Sequence, residues 1–251
     1  MNDAPADRST ASRQEGWSYW RPPPARASLE LGTVRGRQVA LPPHFHDEDQ
    51  LTFVVAGRRR VVIAGVVHAA GAGQALHIPA GTVHRSLAED ADVLCVNMYL
   101  APGEYAVRAL VAELTRAWRH RSGLPWKALG AIAESHRSGE ASARPPDLTA
   151  GAGTGLSILG AASVQAAASE AGVSREHFSR QFHARYGIPP ATYRLLRRLN
   201  DARQRLKSGE AIAAAAHVAG FADQSHLSRY FKRHFGVAPG RYLQPPTSHP
   251  F

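Results

Sequence analysis

The chain has 251 residues, 44% hydrophobic and 20% charged, enough apolar material for one or two packed domains and unlike a disordered or fibrous protein. Its 30 Lys and Arg against 20 Asp and Glu give a formal charge of +10, which favours a polyanionic partner, most often nucleic acid. The one cysteine, Cys95, excludes an internal disulfide framework and fits a cytoplasmic location, and no run approaches the roughly 20 apolar residues that cross a bilayer, so no membrane partner is expected.

Residues 1–20 are polar and lack the apolar stretch of a secretory signal, and they are expected to form a disordered tail. Residues 21–100 follow as short β-branched runs punctuated by glycine, LTFVVAG, RRRVVIAG, QALHIPAG and VLCVNMYL, which predict a small antiparallel barrel or sandwich. His44 and His46 are two apart and share a strand face, the interior one if Leu51, Phe53 and Val55 line the wall. His84, after the Pro79-x-Gly81 turn, can approach the same interior. Three readings compete for this cluster: hydrogen-bonding groups of a small-molecule pocket, ligands of a divalent metal, or satisfied histidines with no ligand role. Glu48 would point inward only if the strand has already begun there. Arg58, Arg59 and Arg60 read as a charged strand edge rather than a phosphate clamp. Cys95, in an apolar run, reads as a small buried hydrophobe.

The spacing His44-x-His46, three residues, Gln50, six residues, Gly57, and then Gly73, five residues, Pro79-x-Gly81-x-x-His84, resembles the two motifs of the cupin barrel. In metal-binding cupins three histidines and a glutamate hold the ion. The resemblance therefore implies His44, His46, Gln50 and His84 as the positions that bind an effector or a metal. Gln50 stands where the carboxylate is expected, and its neutral amide oxygen is a weaker donor for hard divalent ions.

Residues 101–160 read as a helical linker. Glu104–Arg121 sets Val107, Leu110, Val111, Leu114 and Trp118 on one helical stripe, for packing on the neighbouring domain or for homodimerisation. Trp126, Leu129 and Ile132 continue a second, shorter pattern. The Pro/Gly-rich stretch Gly139–Gly160 marks the boundary with the last third of the chain.

Residues 161–245 hold 13 of the 30 basic residues against 5 acidic ones, and they repeat. GVSREHFSRQFHARYGIPPATY, from Gly172, recurs as GFADQSHLSRYFKRHFGVAPGRY, from Gly220. Each copy reads as a small-residue helix (Val164–Ala171, Ile212–Ala219), a glycine turn, and a second helix behind the N-caps Ser174 and Asp223 that stops at Gly187 and Gly236. Phe178, Phe182 and Tyr186, and Leu227, Phe231 and Phe235, form the buried stripes at i, i+4, i+8. Glu176, Ser179, Arg180 and His183, and Gln224, Ser225, Ser228, Arg229 and Lys232, are left outward. A helix about 10–12 Å across fits the DNA major groove, where Arg and Gln can read bases. Between the copies Thr192–Lys207 is a spacer helix of roughly 24 Å, set to hold the two reading helices near the roughly 34 Å between successive major-groove faces. Its Leu195, Leu196, Leu199, Ala202 and Leu206 face one side, with Arg194, Arg197, Arg198 and Arg205 largely on the other, toward phosphates.

HFSRQFHARYGIPPATY, LNDARQRL and AGFADQSHLSRYFKRHFGVAPGRY resemble the DNA-binding domain of the AraC/XylS transcription regulators, two helix-turn-helix units joined by a long helix, over about residues 163–243. The resemblance implies that Glu176, Ser179, Arg180, Gln224, Ser225, Ser228 and Arg229 face bases. Members usually carry an amphipathic helix just before the first unit, whereas Asp147–Ala162 is rich in Gly and Ala. The expected architecture is a multidomain α and β chain: a cupin-like β-barrel, a helical linker and an all-α double helix-turn-helix domain. The expected function is transcription regulation through double-stranded promoter DNA, a small-molecule effector in the barrel and RNA polymerase as partners. The competing class is a metal-dependent cupin enzyme tethered to a DNA-binding domain.

Overall fold

A computed structural model describes residues 15–22, 29–120, 128–138, 158 and 161–244. The strands are β1 (Gly16–Trp20), β2 (Leu29–Gly36), β3 (Leu41–His44), β4 (Asp49–Ala56), β5 (Arg58–Ile63), β6 (Val66–Gly71), β7 (Ala75–Ile78), β8 (His84–Ser86) and β9 (Val93–Leu100). The helices are α1 (Val107–His120), α2 (Leu129–Ser135), α3 (Val164–Glu170), α4 (Arg175–Tyr186), α5 (Pro190–Lys207), α6 (Ile212–Val218) and α7 (Gln224–Phe235). A five-stranded sheet of order β1-β2-β9-β4-β7 faces a four-stranded one of order β3-β8-β5-β6, with antiparallel pairing throughout. Gly16–Trp20, expected from the sequence to lie in the tail, is strand β1: its Trp17, Tyr19 and Trp20 are buried and pair it along β2.

The five-stranded sheet is buried on both faces, and this corrects the expected lining. Leu51 and Phe53 of β4 do not face the interior. With Val96, Met98 and Leu100 of β9 they belong to the outer core, beneath Leu110 and Leu114 of α1 and Leu129 of α2, and Val55 packs against that core from its edge. Gln50, Thr52 and Val54, one residue out of phase, face inward opposite Tyr99, Asn97 and the Cys95 strand position. Period-two alternation cannot tell the two faces apart when helices cover the outer one.

The stripe of α1 is occupied within the chain. Leu110 and Leu114 are fully buried, Val107, Val111 and Trp118 pack beside them, and the Trp118 indole donates to the Val55 carbonyl at 3.1 Å. Leu129 and Ile132 of α2 join the same core, whereas Trp126 and most of Gly139–Gly160 lie outside the described residues. Of the three consecutive arginines only Arg58 is exposed. Arg59 is buried and donates to Glu89 and to the Leu87 carbonyl, and Arg60 pairs with the same Glu89, so this is a buried ion cluster more than a charged edge. Cys95 is buried, and burial pushes its thiol up to about 12, the state of an inert hydrophobe.

The C-terminal repeat has the expected local structure. Ser174 and Asp223 cap α4 and α7 by accepting from the backbone amides of His177 and His226, at 3.1 and 2.7 Å. Gly187 and Gly236 end the same helices in the left-handed region, at φ of 73° and 76°. The spacer α5 begins two residues earlier than expected, because Pro190 takes the first helical turn, where its missing amide costs nothing.

Candidate functional site

The outward face of the second helix in each repeat is open to solvent. In α4, Glu176, Arg180 and His183 are exposed and Ser179 is partly so; in α7, Gln224, Ser225, Arg229 and Lys232 are exposed and Ser228 is partly so. Phe178 and Phe182, and Leu227, Phe231 and Phe235, fill the opposite side, while Tyr186 is half-buried. The structure therefore brings the expected outward residues onto two free helix faces. The spacer arginines are less uniform than expected. Arg197 pairs with Asp47 of the barrel, Arg194 donates to the Ala162 carbonyl, and Arg205 pairs with Asp201 and Glu210. Arg198 is exposed, lying against the turn glycine Gly220.

Inside the barrel His44, His46 and His84 converge, with potential ligand atoms all within 4.8 Å of one another. β3 ends at His44 and β8 starts at His84 as its cross-strand partner, which fixes two rings side by side, with centroids 4.3 Å apart. His44 Nδ1 lies 2.8 Å from the Pro42 carbonyl and His84 Nδ1 2.9 Å from the Thr82 carbonyl. A carbonyl only accepts, so both Nδ1 atoms carry the proton and both Nε2 atoms present lone pairs. His84 Nε2 and both ring nitrogens of His46 are buried with no hydrogen-bond partner among the described residues. Burial, reinforced for His46 by the nearby Arg203 charge, pulls His44 and His46 well below the usual imidazole range and brings His84 to about 4, so all three rings are neutral at pH 7.

Gln50 sits on the same interior face. It pairs across the sheet with Tyr99, whose ring meets His46 edge-on at 4.9 Å. Its amide nitrogen donates to Thr52, which donates to Asn97, and its Oε1 is left buried and unpartnered. Leaving buried lone pairs unmatched costs on the order of 1–3 kcal/mol each. Neutral imidazoles with inward lone pairs beside an amide oxygen fit a divalent ion of the later first row, or the donors of a small polar molecule. No carboxylate joins the cluster among the described residues.

Glu48 does not face the histidines. Burial would raise its carboxyl, but Arg203 and Lys207 override that and hold it below the usual carboxylate range. Arg203 is fully buried and bonds Glu48 at 2.7 Å, Glu30 at 2.8 Å and the Tyr242 hydroxyl at 2.9 Å; Lys207 and Gln204 reach the same Glu48. This network fastens α5 to the barrel, with Asn200 donating to the Phe45 carbonyl and Tyr193 stacking on Phe45. At the end of α7 the Tyr19 hydroxyl donates to the Phe235 carbonyl, and the Phe235 ring stacks over His46 at 6.0 Å. The histidine cluster is thus roofed by the helical domain. Sequence reasoning missed Arg203, Glu30 and Phe235 in this role. A signal was present: Leu196, Leu199, Asn200, Arg203 and Lys207 form one buried stripe of α5, and its polar members demand partners.

A family model described as "Cupin domain" matches residues 31–99, and one described as "Helix-turn-helix domain" matches residues 167–245. Two curated relatives are named "Putative AraC-like transcription regulator": one from Streptomyces lividans, 38% identical over 81 residues (32% of this chain, 27% of the relative), and one from Streptomyces antibioticus, 39% identical over 80 residues (32% and 26%). The chain spans about a quarter of the length of these relatives. Among solved structures, a cupin-2 domain containing protein from Shewanella frigidimarina is similar at 19% identity and a TM-score of 0.30, over 35% of this chain and 83% of that one. KdgF from Halomonas sp. is similar at 27% identity and a TM-score of 0.28, over 30% and 71%.

Proposed function

From a chain that joins a cupin domain to an AraC-type helix-turn-helix domain, we propose a sequence-specific transcription regulator that reads promoter DNA with α4 and α7 and senses a ligand in the barrel. The observation that carries this reading is the pair of capped helices whose reading faces are both exposed while their opposite faces are buried. Bases are read by Glu176, Ser179, Arg180 and His183 in the first unit and by Gln224, Ser225, Ser228, Arg229 and Lys232 in the second, with phosphates met by the basic surface around them. The names of the relatives and the helix-turn-helix match speak for a regulator rather than an enzyme.

The sensor centre is His44, His46, Gln50 and His84. The roof set by Phe235 and the close approach of the three rings favour an occupant as small as one divalent ion there. Such an ion would supply a positive charge at the centre of the barrel. A ligand that binds more tightly to one arrangement of barrel and helical domain shifts the population of that arrangement, and the roof gives it the contact to do so. Cytoplasmic location, self-association and contact with RNA polymerase belong to the same proposal.

The test is footprinting of the purified full chain across genomic DNA, followed by titration on a recovered site. A protected site whose affinity falls steeply as salt rises is expected, since released counterions drive phosphate contacts. Uniform, sequence-independent binding would overturn base reading. Elemental analysis of untagged protein tests the ion, with its loss expected in His46→Ala.

A further inference from the structure

The second reading helix rests on β3 directly, whereas the end of the first stands across an open cleft from the barrel. The cleft has a volume of about 610 Å³, within the range of roughly 300–1,000 Å³ that holds small organic ligands. Its walls come from two sources. The end of β5 supplies Val62 and Ile63 and the residue before β8 supplies Val83; the last turn of α4 supplies Tyr186. These side chains are half-buried and leave an apolar floor. The Tyr186 ring packs against Phe182, at a centroid distance of 4.4 Å.

Two cations stand on opposite walls. Arg85, from β8, is exposed and forms no salt bridge with another described residue; Arg185, from α4, lines the facing wall with its guanidinium over the Tyr186 ring at 5.7 Å. Among the described residues no acidic side chain lines the cleft. We propose that this cleft is a binding site for a small organic carboxylate with an apolar body, the body against Val62, Val83 and Tyr186 and the carboxylate between Arg85 and Arg185. Guanidinium forks match a carboxylate through charge-assisted bonds, and the apolar floor disfavours a bare inorganic anion or a phosphate backbone, which would strand that surface against charge.

Binding at this place joins the first reading helix to the barrel. The ligand touches Ala184 to Gly187, directly after His183 of the reading face, so occupancy fixes the angle between α4 and a barrel to which α7 is already fastened. That regulatory consequence rests on the reading of α4 as a DNA-reading helix; the binding itself does not.

The experiment is calorimetric titration of the full-length, untagged protein, without DNA, using 2-naphthoate and 4-phenylbutyrate, with 2-naphthamide and 4-phenylbutyramide as neutral controls. Carboxylate binding below about 1 mM is expected, with the amides about tenfold or more weaker. Arg85→Gln and Arg185→Gln are each expected to weaken the carboxylates about tenfold and leave the amides unchanged. Failure of both carboxylates to bind overturns the proposal. So does equal binding of acid and amide, or indifference to both arginine substitutions. Ligand-dependent shifts in footprint, measured separately, report on the DNA reading and do not bear on the site.

Discussion

Phe235, the last residue of α7, lies stacked over His46 at the centre of the barrel, with ring centroids 6.0 Å apart. One twelve-residue helix thus offers Gln224, Ser225 and Arg229 to solvent at its start and closes the histidine cluster at its end. Truncation of the roof is the direct probe. Phe235→Ala is expected to cost about 3–5 kcal/mol in chemical denaturation, as for other buried aromatics cut to alanine. It should also make His46 accessible to a histidine-modifying reagent, whereas Phe178→Ala, buried in the first unit, should cost a similar amount without exposing His46.

The two helix-ending glycines separate backbone strain from docking. Both are left-handed, but a methyl group on Gly187 meets nothing within 4 Å, whereas one on Gly236 overlaps the Trp17 ring. Gly187→Ala should therefore cost only the left-handed penalty of about 1–2 kcal/mol. Gly236→Ala should cost clearly more, and part of the excess should return in the background Trp17→Ala. Equal costs at the two positions would show that Trp17 does not rest on α7.

Arg203 anchors the same interface through charge. Its removal leaves Glu30 and Glu48 buried with fewer partners, and losing one partner of a buried pair typically costs about 3–5 kcal/mol. Arg203→Met should destabilise by that amount, and Glu30→Gln in the same chain should recover part of it. The coupling in the double-mutant cycle is expected to exceed about 1 kcal/mol. Additive effects would mean that Arg203 and Glu30 do not act as a pair.

Much of this was legible in the sequence, for physical reasons that differ by region. The C-terminal units could be read because caps, turn glycines and the i, i+4 stripe are local signals that agree with each other: Ser174, Gly187 and Phe182 each do what their own neighbourhood requires. The convergence of His44, His46 and His84 followed from spacing. The lining of β4 did not, since Leu51 and Gln50 both end up buried and only the helices laid over the sheet decide which face is the interior. The latch was invisible for a further reason. Arg203 and Glu30 are 173 residues apart, and a buried charge announces nothing until its partner is found.

Acid should loosen the barrel through its histidines. Burial holds the folded-state value of His84 to about 4, below its ordinary value of about 6.5, so the unfolded chain binds the proton first as the pH falls. The stability is intact above about pH 6.5 and is lost progressively toward pH 4, by about 3 kcal/mol for His84 alone at about 1.4 kcal/mol per unit. His44 and His46, also pulled down by burial, act in the same direction. Thermal midpoints measured from pH 7.5 to 4.5 should fall with a slope that flattens in His84→Gln. A flat profile in the parent protein would contradict neutral, buried rings.

The sharpest distinction on the DNA side lies between two exposed arginines. Arg229 projects from the second turn of α7, where a bidentate contact to guanine is expected, and Arg198 projects from the spacer, where a phosphate contact is expected. Arg229→Ala should cost about 1–3 kcal/mol on the preferred site and relax preference at one position of it. Arg198→Ala should weaken all sequences alike and lower the slope of log affinity against log salt by about 1. Arg197, already paired with Asp47, should contribute less to that slope than Arg198. Selection of bound sequences from a random pool, repeated for each variant at two salt concentrations, measures these effects. An Arg229→Ala protein that recovers the parent's preferred sequence would remove α7 from the reading surface.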